Sequence, residues 1–473
     1  MSFTEEFHRI KQLPPYVFEE VNKLKAKLRA SGRDIIDLGM GNPDMPTPPH
    51  IVDKLCEAAR NPKAHRYSVS KGIAGLRRAM ARYYKRRFDV ALDPETEIVA
   101  TIGSKEGFAN IAQAITGPGD VTLAPDPAYP IHAFGFIIAG GVIIPVPAPS
   151  PEAYLSGLSH AIGKAHMRPR AMVLNYPSNP TAQTVGLDFY KEAVALAKKH
   201  EIYILSDIAY CEIYFDEPPP SILQIDGAKD IAVEINSLSK TFAMAGWRVG
   251  MAVGNERLIK ALARVKSYLD YGAFTPIQVA AVAALDGPWS VVEEIRATYK
   301  RRRDAVVESF AASGWDVPCP SASMFCWAPI PEPFRDTGSV EFAKMLMERA
   351  DVAVSPGLGF GAGGEGFVRI GLVENQQRIR QAARNLKKVF QGAERAPVRS
   401  TRRIVGSTWG AVRRRGASHD DFRPVGLAYR RVRCRRTCVH RCRFRVVGLS
   451  RERVSRAFVQ TAASFRSSNS DGR

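Results

Sequence analysis

The residues best suited to chemistry are a lysine and an arginine in the stretch 236–254, NSLSKTFAMAGWRVGMAVG. Lys240 follows Ser237-Leu238-Ser239 and Arg248 comes eight residues later, between apolar runs at 231–235 and 249–253. A lysine on a loop between two buried strands is partly desolvated, which lowers its pKa and frees the amine to attack an aldehyde. Hydroxyls beside it, and a guanidinium able to grip a phosphate in a bidentate fork, suit an aldehyde that carries a phosphate. Pyridoxal phosphate is such a molecule. Most lysines are solvated surface charges, so the reading needs partners elsewhere in the chain.

Those partners follow a run of short apolar segments. Runs at 98–102, 121–124, 142–146, 171–175, 202–206, 231–235 and 249–253 read as seven strands, with helical patterns at 105–115, 188–200 and 256–271 between some of them. Strands alternating with helices predict an α/β fold with a doubly wound, mostly parallel sheet. Ligands on such a sheet gather at the carboxyl ends of its strands, and each chemically notable residue sits just past a run. Gly103-Ser104-Lys105 follows the first and suits phosphate at a helix start, although it is equally well formed as a plain helix cap. Tyr129, on the Pro125-Asp126-Pro127 turn, is placed to stack on a flat ring. Asn179, between prolines, offers a donor to a phenolate oxygen, or is a turn asparagine. Asp207 ends a buried strand and needs a cation or strong donors; a pyridinium N–H is such a partner. Tyr210, three residues on, could donate to the ring oxygen.

Past Pro288 the pattern changes to a smaller α+β region. Helical patterns at 289–313, 340–349 and 376–390 alternate with strand-like segments at 314–317, 323–328, 352–357 and 366–371. Arg369 alternates with apolar neighbours; a guanidinium there clamps a carboxylate, unless it is an edge-strand arginine in water. The expected organisation is an N-terminal arm with part of the small domain at 1–47, a large domain at 48–288, a small domain at 289–392 and an Arg-rich tail at 393–473.

Composition bounds the rest. No window is long and apolar enough to span a membrane, the first residues lack the apolar core of a secretory signal, and single scattered cysteines suit a cytoplasmic protein. The tail holds 21 Arg, no Lys and 5 acidic residues, a balance of +16 out of the chain's +20, so the body is nearly neutral. Cys434, Cys438, Cys442 and His440 match no common zinc spacing, and no metal is expected. The tail is expected to be a disordered extension, dispensable for catalysis; nucleic-acid contact by an arginine-rich arm is the second reading.

Taken in order, Gly103-Ser104-Lys105, Tyr129, Asn179-Pro180, Asp207 with Tyr210, the Ser237–Lys240 segment with Arg248, and Arg369 resemble the motifs of the fold type I, class I and II aminotransferases. The resemblance runs over residues 8–390. Within that family LPPYVF, DLGMGNPD, YSVSKG and VSPGLGFG are similar to the bacterial alanine (glutamate-pyruvate) aminotransferases, with the LL-diaminopimelate enzymes as nearest rival. The resemblance implies pyridoxal 5′-phosphate as cofactor, a lysine at 240 that bonds its aldehyde and carries the proton, and Asp207 on the ring nitrogen. It implies Asn179 and Tyr210 on the ring oxygen, Tyr129 on the ring face, Ser104, Lys105, Ser237 and Arg248 at the phosphate, and Ser239 as a further cofactor-binding residue. Tyr67 would reach the phosphate of a neighbouring subunit, which makes a homodimer the expected assembly. Arg369 and Asn179 would hold the substrate carboxylate, with Tyr16 and Gly41 closing over it. A ping-pong exchange between alanine and 2-oxoglutarate or pyruvate is the implied activity. A β-lyase of the same fold and a regulator that keeps the fold as an effector sensor are the alternatives.

Overall fold

Seven of the strands form the sheet that carries the candidate residues. The computed structural model describes residues 7–14 and 17–394, which belong to one compact unit; residues 1–6, Pro15, Tyr16 and the Arg-rich tail from 395 on lie outside the described residues. The strands in chain order are β1 Ile36–Asp37, β2 Ile98–Thr101, β3 Val121–Asp126, β4 Val142–Pro147, β5 Ala171–Asn175, β6 Tyr203–Asp207, β7 Ala232–Ser237, β8 Gly250–Gly254, β9 Phe325–Pro329, β10 Val352–Ala353, β11 Ser355–Pro356 and β12 Phe367–Gly371.

The large sheet has the order β2-β8-β7-β6-β5-β3-β4, parallel except for β8, which runs antiparallel to both of its neighbours. Its central strands are buried on both faces, which is why they read as continuous apolar runs rather than as alternation. One face packs on Tyr83, Tyr84 and Tyr190, the other on Phe108, Ile111 and Leu262. Because β8 is reversed, its start lies beside the ends of β2 and β7, Gly250 facing Thr101 on one side and Ser237 on the other. Arg248, just before β8, therefore reaches the same rim as Asp207 and Lys240.

A separate antiparallel sheet, β11-β12-β9, and the parallel pair β1-β10 share a second apolar cluster around Trp315, Phe325, Phe342 and Leu346. Helices Ser290–Ala311, Ser339–Ala350 and Gln376–Glu394 cover it. Gly314–Val317, expected as a strand, has no ladder partner. Trp315 and Val317 are apolar because they are buried, Trp315 against Phe310 and Phe342, with its Nε1 donating to the Pro329 carbonyl at 2.8 Å. Among the described residues no helix is long and apolar enough to cross a membrane.

Candidate active site

Twelve of the fourteen singled-out residues line one cavity of about 300 Å³ at the carboxyl rim of the large sheet: Gly41, Ser104, Lys105, Tyr129, Asn179, Asp207, Tyr210, Ser237, Ser239, Lys240, Arg248 and Arg369. Tyr16 lies outside the described residues. Tyr67 stands away from the cavity, 86% exposed, its ring 4.7 Å from that of Tyr271.

Lys240 sits not on an open loop but in the short helix Leu238–Thr241, capped by Ser237, whose Oγ accepts the Ser239 N–H at 3.2 Å. Its Nζ donates to the Gly41 carbonyl at 2.6 Å. Burial, then the nearby guanidiniums of Arg369 and Arg248, push the amine down to about 7. A single neutral-capable amine between two fixed cations is the electrostatic core of the site.

One side of the cavity is built to take an anion. Helix Ser104–Ile115 opens with Gly103 as its N-cap and no side-chain cap bond, so Ser104 is the first helical residue rather than the cap, and its hydroxyl lines the cavity. First-turn amides and the positive end of the helix dipole then face the cavity. Arg248 has left-handed backbone, φ 59°, which turns its guanidinium back over Gly103; its Nη1 donates to Ala245 O at 3.0 Å. A Cβ on Gly103, itself at φ +78°, would overlap that guanidinium, so only glycine leaves the cradle open. Lys105 Nζ lies 6.0 Å from the centre of the Tyr129 ring.

The opposite side presents a fixed carboxylate. Asp207 is buried, its Oδ1 accepting the Ala209 N–H at 3.1 Å and its Oδ2 lying 2.9 Å from His132 Nε2. His132, fully buried beside Phe108, has no counterpart in the sequence reading. Its only sequence signal is a polar residue inside the apolar helix Ile131–Ile138. Asn175, which in the sequence marks only the end of an apolar run, joins these residues: its Nδ2 donates to Asp207 O and its Oδ1 accepts the Asn179 N–H, both at 2.9 Å.

Asn179 links the two halves of the site. Its Nδ2 donates to Tyr210 Oη at 3.3 Å and its Oδ1 accepts from Arg369 Nη1 at 2.7 Å. Burial holds the Tyr210 phenol well above its ordinary pKa, Arg369 acting in the other direction. Arg369 is 7% exposed, so it is not an edge arginine in water. Its guanidinium lies over two rings, 4.0 Å from the Phe325 centre and 4.7 Å from that of Phe360, contacts that restrict its movement beside the cavity.

The profile of the family "Aminotransferase class I and II" matches residues 33–386. The chain belongs to this pyridoxal-phosphate-dependent family. The aminotransferase is 64% identical over 391 residues to the putative aminotransferase AatC of Rhizobium meliloti, covering 82% of this chain and 96% of that one. It is 51% identical over 395 residues to the glutamate-pyruvate aminotransferase AlaC of Escherichia coli (83% and 96%). To an LL-diaminopimelate aminotransferase of Moorella thermoacetica it is 43% identical over 391 residues (82% and 100%). Among solved structures, substrate-bound BacF of Bacillus subtilis superposes with a TM-score of 0.76 at 35% identity, covering 82% of this chain and 98% of that one. The cavity's donor set fits the cofactor: an uncapped helix start, hydroxyls and Arg248 for the phosphate, a buried carboxylate for the ring nitrogen, and an amine for the aldehyde.

Proposed function

We propose that this aminotransferase moves the amino group of L-alanine to 2-oxoglutarate, and of glutamate to pyruvate, by a ping-pong cycle. The supporting observation is the pairing of a near-neutral Lys240 amine with a buried Arg369 whose stacked plane suits a carboxylate. Greater identity to the glutamate-pyruvate enzyme than to the LL-diaminopimelate enzyme favours alanine.

Bound here, the cofactor supplies an aldehyde that takes up the amino group and a protonated ring that withdraws electrons from the substrate Cα. The chain supplies the rest. Asp207, held by His132 and the Ala209 amide, keeps the ring nitrogen protonated. Asn179 and Tyr210 would donate to the ring oxygen, and Tyr129 would cover the ring face. Ser104, Lys105, Ser237 and Arg248 would hold the phosphate, with Ser239 beside them on the cofactor, and Arg369 and Asn179 would hold the α-carboxylate with Gly41 closing over it. Lys240 Nζ, whose amine burial and the two guanidiniums make easy to deprotonate, would take the proton from the substrate Cα and return it at the far end of the transfer.

The same reading includes a cytoplasmic homodimer, a large domain at 48–288 and a small one at 289–392. In the dimer, the exposed Tyr67 would reach the partner's phosphate. Exposed Tyr268, Leu269 and Tyr271, in the segment that meets Tyr67, are consistent with a surface covered by a second copy. The test is a donor series with 2-oxoglutarate, comparing alanine, aspartate and LL-diaminopimelate. Alanine should give the highest kcat/KM, and a ranking below either rival overturns the assignment.

A further inference from the structure

A ten-residue segment after β11, 357–366, is half glycine or more and carries Phe360, one of the two rings that hold Arg369. Nothing in the transamination chemistry calls for so many glycines. Their neighbours supply the reason. At the end of β3, Asp126 Oδ1 accepts the Gly363 N–H at 3.0 Å, and two residues later Ala128 N–H donates to Phe360 O at 2.7 Å. A Cβ on Gly361, at φ +122°, would land on Asp126 Oδ1, and one on Gly363 would come within 2.7 Å of the Asp126 carbonyl. Gly361 and Gly363 therefore let this strand end approach the segment, while Gly357 and Gly364 face one another and Gly359 faces the Phe18 ring.

Two short bonds thus bracket the strand end to the segment that bears Phe360. Farther along the same β3 turn stands Tyr129, which faces the cofactor side of the cavity. On the other side, Phe360 packs 4.7 Å from the Arg369 guanidinium, Trp327 lies 6.0 Å from Phe360, and Arg369 Nη1 reaches Asn179. The far end of the segment is tied independently, Ser339 N–H and Oγ donating to Glu365 at 2.6 and 2.9 Å. Asp126 is half-buried, and burial raises its carboxyl above the ordinary range, with the Gly363 amide opposing. That amide is the one hydrogen-bond donor seen on its carboxylate among the described residues.

The geometry points to Asp126 as a positioning residue for the substrate α-carboxylate: by holding the Gly363 amide it seats Phe360 against Arg369, and so sets the guanidinium plane relative to the Tyr129 face of the site. Asp126 touches neither substrate nor cofactor in this account. The inference rests on the reading of Arg369 as the carboxylate clamp.

The test compares Asp126→Ala and Asp126→Asn as holoenzymes. Loss of a hydrogen bond to a charged group, transmitted to one clamp, is expected to raise KM for the amino-acid donor about tenfold in D126A, with kcat changed less than twofold. Asn keeps an oxygen that accepts the Gly363 N–H, so D126N should return KM to within about twofold of the parent. Single-turnover reaction with ethylamine, a donor with no carboxylate, should proceed equally fast in all three proteins. Phe360→Leu, which removes the ring but leaves the bracket, should reproduce the D126A signature and carries the test if D126A does not fold. An unchanged KM in D126A, a D126N no better than D126A, or an equal loss with ethylamine overturns the inference. Use of whichever L-amino acid the parent enzyme accepts keeps this outcome separate from that of the alanine assignment.

Discussion

Lys240 is the residue whose protonation state the rest of the site adjusts. Its amine is pushed down to about 7 by burial first and by Arg369 and Arg248 second, so the folded apoprotein should release this proton some three units below an ordinary lysine. The reactive form is the neutral amine, so the rate at which apoprotein captures pyridoxal phosphate, trapped with borohydride at residue 240, should rise with pH around a midpoint near 7. Arg369→Ala should move the midpoint upward, because a repelling cation is gone; a midpoint above 9 in the parent protein would contradict the electrostatic account. Beneath the site a second group is perturbed in the opposite sense. Glu234 on β7 is fully buried, its Oε1 accepting from Ser221 Oγ at 2.6 Å and Tyr84 Oη at 3.0 Å, and burial raises its carboxyl to about 7 from 4.5. Between those values the folded state keeps a proton that the unfolded chain has released, so stability must fall as pH rises through that window. Glu234→Gln removes the titration. In urea unfolding, its stability relative to the parent should therefore improve from pH 4.5 to pH 7.5, on the order of 3 kcal/mol, and a constant difference would show that the carboxyl does not titrate there.

The cradle proposed for the phosphate belongs to the scale of elements, because it exists only where β2 hands over to helix Ser104–Ile115 and Arg248 folds back from the start of β8. Gly103→Ala should strain the φ +78° backbone and drive a methyl into the Arg248 guanidinium. The expected result is cofactor affinity weakened at least about tenfold, seen as loss of bound cofactor on dialysis, with an unchanged far-ultraviolet spectrum; retained affinity would remove Arg248 and the helix start from the phosphate site. Much of this element was legible in sequence, and the reason is physical. Strands buried on both faces must be apolar throughout, so 98–102, 171–175 and 249–253 announced themselves, and the polar residues that follow each run mark the rim. Gly314–Val317 was misread because alternating apolar residues report burial, and Trp315 is buried by side-chain packing without a strand partner. His132 and Phe325 escaped because each acts through a contact between segments distant in the chain, His132 on Asp207 and Phe325 on Arg369. Neither contact leaves a local pattern. The Gly41 carbonyl that accepts from Lys240 is likewise a property of the fold, not of the residue type.

At the scale of the whole molecule, the cavity contains a lysine and its cation pair but lacks Tyr67, which stands exposed beside Tyr271. If two copies share their sites, each cavity takes Lys240 from one protomer and Tyr67 from the other, and this separation can be tested by mixing. Lys240→Ala removes the amine and should abolish turnover. Tyr67→Phe removes one phosphate donor and should lower cofactor affinity roughly threefold to tenfold, the range expected for one hydrogen bond to a charged group outside a fully buried setting. At a cofactor concentration that leaves the Tyr67→Phe protein mostly unloaded, neither variant alone is fully active. A hybrid dimer, however, holds one cavity with both defects and one with neither. Refolding the two variants together at equal ratio should therefore give activity above the mean of the separate proteins, rising with the hybrid fraction and disappearing when subunit exchange is blocked by omitting the co-refolding step. Activity equal to that mean would place Tyr67 outside the partner's phosphate site, whether or not the protein dimerises, because dimerisation without exchange of Tyr67 creates no intact cavity from two damaged ones.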